Sequence, residues 1–349
     1  MLQRIKENFP DSAEALYASL DNLWFSTHSL AELVNYFYLH GGRHLFLDEV
    51  HKYPKWQTAI KNIYDDYPDL HIVYTGSSML KIDRSQGDLS RRQRIYDLQG
   101  LSLREYLEFE VGLDTPVLTV EEICSNHISL ARKITSEVKI FPYFERYLKS
   151  GYYPFYKESP DGYELQLREV VRQVIESDMM KIEDVEYATV LKAKKMLMVI
   201  AQSVPQTPKM SALYTQLETS REQGLKLLDM LSRGGLLRLL GYEPRNFKTM
   251  GKPDKILLEN PNLMYALSPK VEIGTIRETF FANQLSYAGE LLLDRNCDFK
   301  YDRSKVFEVG GAGKSFDQIA GIPDSYLAVD DTETGWGNRI PLWLFGFLY

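Results

Sequence analysis

The sequence predicts an α/β protein that opens on a doubly wound parallel sheet, passes through a helical middle and ends in an α+β region. Three observations predict this. Between residues 15 and 76, short apolar runs of strand length alternate with segments of helical periodicity, the pattern of a parallel sheet covered by helices. From Val120 to Val190 the periodicity is helical. From Lys255 onward strand-like runs return, with one helix among them.

The elements follow in order. Met1, Leu2 and Ile5 share a helical face that Phe9-Pro10-Asp11 stops. That helix starts on its apolar face with no N-cap ahead of it, which predicts a chain shortened at its front. Ala15 to Leu20 reads as a buried strand, and Ser29 to Tyr38 as an amphipathic helix ended by Gly41-Gly42. His44 to Leu47 is a second apolar strand, Trp56 to Tyr64 a helix, and His71 to Gly76 a third strand. These elements place an α/β domain at residues 1–110. A helical region broken at Gly151-Tyr152-Tyr153-Pro154 occupies 111–190.

Residues 191–250 carry helical segments separated by Pro205, Pro208 and Gly234-Gly235. Met210 to Leu217, Ser220 to Leu231 and Gly234 to Leu239 read as helix, turn, helix and wing, with Leu213, Leu217, Leu225, Leu228 and Leu231 as the core. Residues 251–349 form the last domain, and its apolar tail, Pro341 to Tyr349, reads as a final buried strand.

Composition narrows the function classes. The 349 residues are 44% hydrophobic with a net charge of −7, so no whole-protein field draws nucleic acid or an anionic membrane. DNA contact would have to be local. The winged-helix segment offers Lys209, Arg221, Lys226, Arg233 and Arg238, set against Glu218, Glu222 and Asp229, and both DNA and a protein client stay open as its partner. Cys124 and Cys297 make no metal-ligand spacing and fit two free thiols in a reducing cytoplasm. No apolar run approaches bilayer length, and the first residues are too polar for a signal peptide, so no membrane partner is expected.

The most informative stretch is His44-Leu45-Phe46-Leu47-Asp48-Glu49, where a strand delivers two carboxylates at its carboxyl end, the edge at which α/β proteins bind ligands. A nucleotide hydrolase uses such a pair to hold Mg²⁺ and to polarise the attacking water. An acidic pair at an ordinary strand-to-loop junction is the plain alternative. Ile72-Val73-Tyr74-Thr75-Gly76-Ser77-Ser78 then ends a strand in hydroxyls, suited to a γ-phosphate or equally to capping a helix. Leu89-Ser90-Arg91-Arg92 adds guanidinium groups for a phosphate or for solvent.

The order and spacing of Leu45 to His51, Thr75 to Ser78, Leu89 to Arg92 and Gly100 to Tyr106 resemble the AAA-like ATPases of bacteria and archaea, which carry an uncharacterised C-terminal domain. The resemblance covers essentially the whole chain. It implies a P-loop NTPase-like fold binding ATP and Mg²⁺, with Asp48 as the magnesium carboxylate and Glu49 as the catalytic one. It further implies Thr75 and Ser77 at the phosphate, Ser77 being the sensor, and Arg91 or Arg92 as the finger. In that family a G-x-x-x-x-G-K-[ST] loop precedes the acidic pair, and nothing before Asp48 fits it. The sequence therefore reads as a shortened chain without the first strand and phosphate loop, or as a natural degenerate ATPase, and weak or absent ATP binding is expected of it. Gly310-Gly311-Ala312-Gly313-Lys314-Ser315 contains GKS, but the motif's first glycine falls on Glu308.

Glu278 in a helix over Ile276 to Leu285, Asp298 before Phe299, and Glu308 in a strand resemble a PD-(D/E)XK nuclease core, whose carboxylates hold Mg²⁺. The position two after Glu308 is Gly310 instead of lysine, and Lys314 could stand in only by folding back. The expectation is a nuclease-like fold without cleavage activity, with residual Mg²⁺ binding by Glu278, Asp298 and Glu308 and three ordinary surface carboxylates both left open.

Overall fold

The computed structural model describes residues 2–9, 13–76, 89, 91–179, 185–203, 210–243 and 253–349. They divide into two compact units, Met1–Asp97 and Leu98–Tyr349.

In the first unit, α1 (Leu2–Asn8) precedes β1 (Ala15–Ser19), α2 (Leu30–Leu39), β2 (His44–Asp48), α3 (Trp56–Asp66) and β3 (His71–Tyr74). The strands form a parallel sheet in the order β1-β2-β3, with Leu45 level with Leu16 and Ile72. Helix α2 starts where expected because Ser29 and Glu32 form a capping box. Leu45 and Leu47 are fully buried on one face of β2, in a core shared with Leu30, Val34, Phe37, Trp56, Ile60 and Ile63 of α2 and α3. The opposite face of β2 carries His44, Phe46 and Asp48, all half-buried, and Phe9 packs its ring against His44 and Phe46. The strand therefore alternates between a sealed face and a more open one, where the run of apolar residues predicts burial on both.

In the second unit, α4 (Leu103–Val111), α5 (Val120–Glu137) and α6 (Ile140–Arg146) lead into α7 (Tyr163–Gln173), α8 (Tyr187–Gln202), α9 (Met210–Gln216) and α10 (Arg221–Arg233). Helix α4, inside the range expected for the first domain, packs in this unit, with Leu103 against Gly346. After α10 come β4 (Leu237–Leu240) and β5 (Lys255–Leu258), an antiparallel pair. Leu213, Leu217, Leu228 and Leu231 are buried as expected, whereas Leu225 is only partly so and Leu227 is buried in addition.

Helices α11 (Pro261–Leu267) and α12 (Ile273–Ala288) precede a mixed sheet in the order β10-β9-β8-β7-β6. Its strands are β6 (Leu291–Leu292), β7 (Phe299–Tyr301), β8 (Lys305–Gly310), β9 (Ser325–Val329) and β10 (Arg339–Pro341). Strands β6 to β8 form an antiparallel meander, and β8 to β10 run parallel. The tail is buried, but as a 3₁₀ segment over Leu342–Phe347 instead of the expected strand. Its rings pack into the core, Phe345 contacting Phe281 and Phe307, and successive buried side chains on one strand would have had to face opposite ways. Among the described residues, no helix is long and apolar enough to cross a membrane.

Candidate functional site

Asp48 ends β2, the middle strand of the first unit's sheet, and register places Ser19 beside it. Its carboxylate is held from both neighbouring strands. The Tyr17 hydroxyl of β1 donates to Oδ2 at 2.6 Å, the Thr75 hydroxyl past the end of β3 donates to Oδ1, and the Glu49 N–H donates to Oδ1 at 3.1 Å. Thr75 is fixed in turn, its N–H bonding the Leu47 carbonyl at 2.9 Å and its carbonyl accepting the Val50 N–H at 3.0 Å. Burial of the Asp48 carboxyl works against ionisation, but the donors from Thr75, Tyr17 and Glu49, with a smaller push from the N-terminal charge, outweigh it and hold its pKa below the ordinary value. The site thus keeps an anion ready at neutral pH.

Glu49 adopts the left-handed conformation, with φ 54° and ψ 38°. A non-glycine residue there is sterically costly, and such residues collect at functional sites. The turn lets the Glu49 N–H cap Asp48 while its carboxylate lies 3.5 Å from Nε2 of the buried His51. The two carboxylates thus have different partners, Asp48 the donors of the neighbouring strands and Glu49 the ring of His51.

The other expected residues fall as follows. Thr75 joins Asp48, but its proton is committed to that carboxylate. Ser77 lies outside the described residues. Arg92 grips Asp65 of α3 through Nε at 2.9 Å and Nη2 at 3.2 Å, while Arg91 is exposed. Tyr17 was not among the expected residues: from sequence it is one aromatic in an apolar run, and only strand pairing brings its hydroxyl to the acidic end of β2.

The donor set around Asp48 fits magnesium. It offers hard oxygen ligands and one carboxylate, and Mg²⁺ commonly takes one or two carboxylates and completes its shell with water and phosphate. Among the described residues, no group of three or more His, Cys, Asp or Glu side chains is placed to hold a metal ion by itself.

In the second unit, the three other expected carboxylates converge around the start of β7 and the end of β8, each with a partner. Glu308 is 2% exposed; its Oε1 takes the Lys314 ammonium at 2.5 Å and its Oε2 accepts the Asp298 N–H at 3.1 Å. Asp298 accepts the Val309 N–H at 2.9 Å. Glu278 of α12 pairs with Lys255 of β5 at 2.6 Å. Lys314 does fold back: a Cβ built on Gly310 would lie 2.8 Å from its Cβ and Cγ, so the lysine runs across the glycine to reach Glu308. This contact occupies the GKS lysine, which points into the sheet end and not into a loop mouth. Burial pushes the Glu308 and Glu278 carboxyls above the ordinary value, the lysines opposing that shift and neighbouring carboxylates adding to it.

Comparison with known proteins adds to this geometry. Residues 1–107 match the family described as an AAA domain. An uncharacterized protein of Methanocaldococcus jannaschii is 28% identical over 198 residues, which are 55% of this chain and 41% of that protein, so the chain spans about two fifths of that relative's length. A solved Walker-type ATPase of Pyrococcus abyssi aligns over 76% of this chain and 75% of its own, with 15% identity and a TM-score of 0.36. The match of residues 1–107 supports an AAA-like domain in the N-terminal part of this chain.

Proposed function

We propose that the first unit supplies the magnesium-binding and water-activating side of an AAA-type ATP-hydrolysing site. The observation that carries this is the placement of Asp48 and Glu49 at the carboxyl end of the middle parallel strand, with Asp48 held ionised by three donors. Asp48 is the magnesium carboxylate, and bound Mg²⁺ supplies charge neutralisation on the phosphates. Glu49 orients and accepts a proton from the attacking water, from a left-handed turn directly after Asp48. Thr75 fixes Asp48, and Ser77 takes the sensor role. With Arg92 committed to Asp65, Arg91 is the finger of this scheme. No G-x-x-x-x-G-K-[ST] precedes Asp48 in the sequence, and this scheme assigns no residue to cradling the phosphates.

The second unit is assigned a winged helix over 191–250 and a nuclease-like domain over 251–349. The order α9, α10, β4–β5 supports the first, and the succession of α12, antiparallel β6–β8 and parallel β9 supports the second. DNA is the partner proposed for the winged helix, with a protein client as the competing occupant.

The test is MgATP turnover by protein expressed from the whole reading frame that contains this sequence. Glu49→Gln should lower kcat by about 10²–10⁴ while MgATP still binds, the range for loss of a general base. Turnover by Glu49→Gln at the wild-type rate would sink the assignment. Salt-sensitive DNA binding that ignores nucleotide would move the function to the winged helix.

A further inference from the structure

We propose that Tyr17 is a positioning residue of the Asp48 site, leaving one carboxylate oxygen available to the cation and so favouring Mg²⁺ over Ca²⁺. This rests on the reading of Asp48 as the magnesium carboxylate. A carboxylate offers about four acceptor positions, two on each oxygen. Oδ1 already accepts two donors, the Thr75 hydroxyl and the Glu49 N–H at 3.1 Å. Oδ2 accepts the Tyr17 hydroxyl at 2.6 Å and keeps one position. Among the described residues, the donors to Asp48 therefore leave a cation a single lone pair, on Oδ2, beside the phenol.

That arrangement discriminates between metals. Mg²⁺ demands a small octahedral shell and accepts a carboxylate through one oxygen, whereas Ca²⁺ takes more oxygen ligands and often grips both oxygens of a carboxylate. Oδ1 is filled by Thr75 and Glu49, and the Tyr17 bond to Oδ2 keeps the carboxylate from rotating away from those donors, so bidentate approach is blocked while the phenol is in place. Tyr17 can do this because it is level with Phe46 in the parallel register, on the same face as Asp48 two residues further along, so its ring spans that step. The strand pairing fixes where the phenol stands, and the phenol and Thr75 together fix the carboxylate's rotation.

The experiment uses protein expressed from the whole reading frame, with a non-hydrolysable ATP analogue present. Mn²⁺ is titrated in by electron paramagnetic resonance, then competed with Ca²⁺, for wild type, Asp48→Asn and Tyr17→Phe. Loss of an outer hydrogen-bond partner to a metal ligand costs 10–100-fold in affinity, so Tyr17→Phe should weaken Mn²⁺ by at least about tenfold and let Ca²⁺ compete better. A thermal melt accompanies each titration, and titrations are run well below the lowest midpoint, so that a folding defect is not read as lost affinity. If Asp48→Asn binds Mn²⁺ like wild type, Asp48 is not the ligand and the underlying reading falls. If Asp48→Asn loses the ion while Tyr17→Phe keeps wild-type affinity and selectivity, or tightens, only the role of Tyr17 is overturned.

Discussion

Replacing Lys314 by Met tests whether the carboxylates of the second unit are neutralised from within. Glu308 is 2% exposed and has the Lys314 ammonium at 2.5 Å. Removing one partner of a buried pair costs about 3–5 kcal/mol when the remaining charge has no escape. Glu308 has one, because it can take a proton. From an ordinary carboxyl value of 4.5 to pH 7 that costs about 3 kcal/mol, which caps the penalty. The Lys314 side chain is 35% exposed, so water already screens part of the pair and the expected loss is about 2 kcal/mol at pH 7. At pH 5 protonation is cheap and the loss should fall to about 0.5 kcal/mol. Hydrogen exchange of β7 to β9, read by mass spectrometry at both pH values, reports opening of this unit apart from the first. Glu308→Gln in the Lys314→Met background should recover most of the stability. A penalty that does not shrink toward pH 5, or no recovery in the double variant, would refute the argument.

Four further outcomes follow from the same contacts. Gly310→Ala puts a methyl 2.8 Å from the Lys314 side chain, so it should displace the lysine and reproduce part of the Lys314→Met penalty, visible as a matching loss of exchange protection. Asn262→Leu should destabilise the second unit by about 3 kcal/mol or more in urea unfolding, because Asn262 bonds the Tyr152 N–H and the Tyr147 and Leu148 carbonyls at 2.9 Å each and leaves all three buried without it. Glu49→Gly should raise the melting midpoint of the first unit, by relief of about 1 kcal/mol of left-handed strain, while abolishing hydrolysis. Asp48 has a folded pKa below its unfolded 3.8, so its contribution is complete above that value and is lost as pH falls through the folded one; Asp48→Asn should flatten that acid limb in a pH series of melts.

The parts of the fold legible in the sequence are those set by local periodicity and caps. Ser29 with Glu32 marks the start of α2, and the runs His44–Asp48 and His71–Tyr74 are strands because short apolar stretches between helices have few other uses. The tail was not legible in the same way. Leu342–Phe347 is uniformly apolar, and uniform burial does not distinguish strand from 3₁₀ turn; packing of Phe345 on Phe281 and Phe307 decides it. At the site, the carboxylates were readable because a strand end followed by Asp48-Glu49 is a local feature. Tyr17 and Lys255 were not, since each reaches its carboxylate from another strand, and only pairing or tertiary packing brings them there. Arg92 shows the converse, a residue type suited to phosphate whose guanidinium is taken by Asp65 27 positions away.

The two groups of carboxylates meet the same electrostatic problem with opposite solutions, and the difference bears on which one takes a metal. A half-buried anion must be stabilised by dipoles or by a cation. At Asp48 the described hydrogen bonds come from uncharged donors, which lower the carboxyl's pKa yet leave its negative charge in place. At Glu308 and Glu278 the cations are already present, as Lys314 and Lys255. A divalent ion entering there would have to displace an ammonium at 2.5 or 2.6 Å from its carboxylate, in surroundings that strengthen that attraction. At Asp48 the described partners are a phenol, a hydroxyl and a backbone N–H, and none of them is a cation to be displaced. On the proposed function the cation belongs to the first unit, and the second unit's carboxylates are instead balanced by Lys314 and Lys255. In Lys314→Met, Mn²⁺ binding that appears together with the stability loss and vanishes on Glu308→Gln would support that balance; equal Mn²⁺ binding at Glu308 in wild type would contradict it.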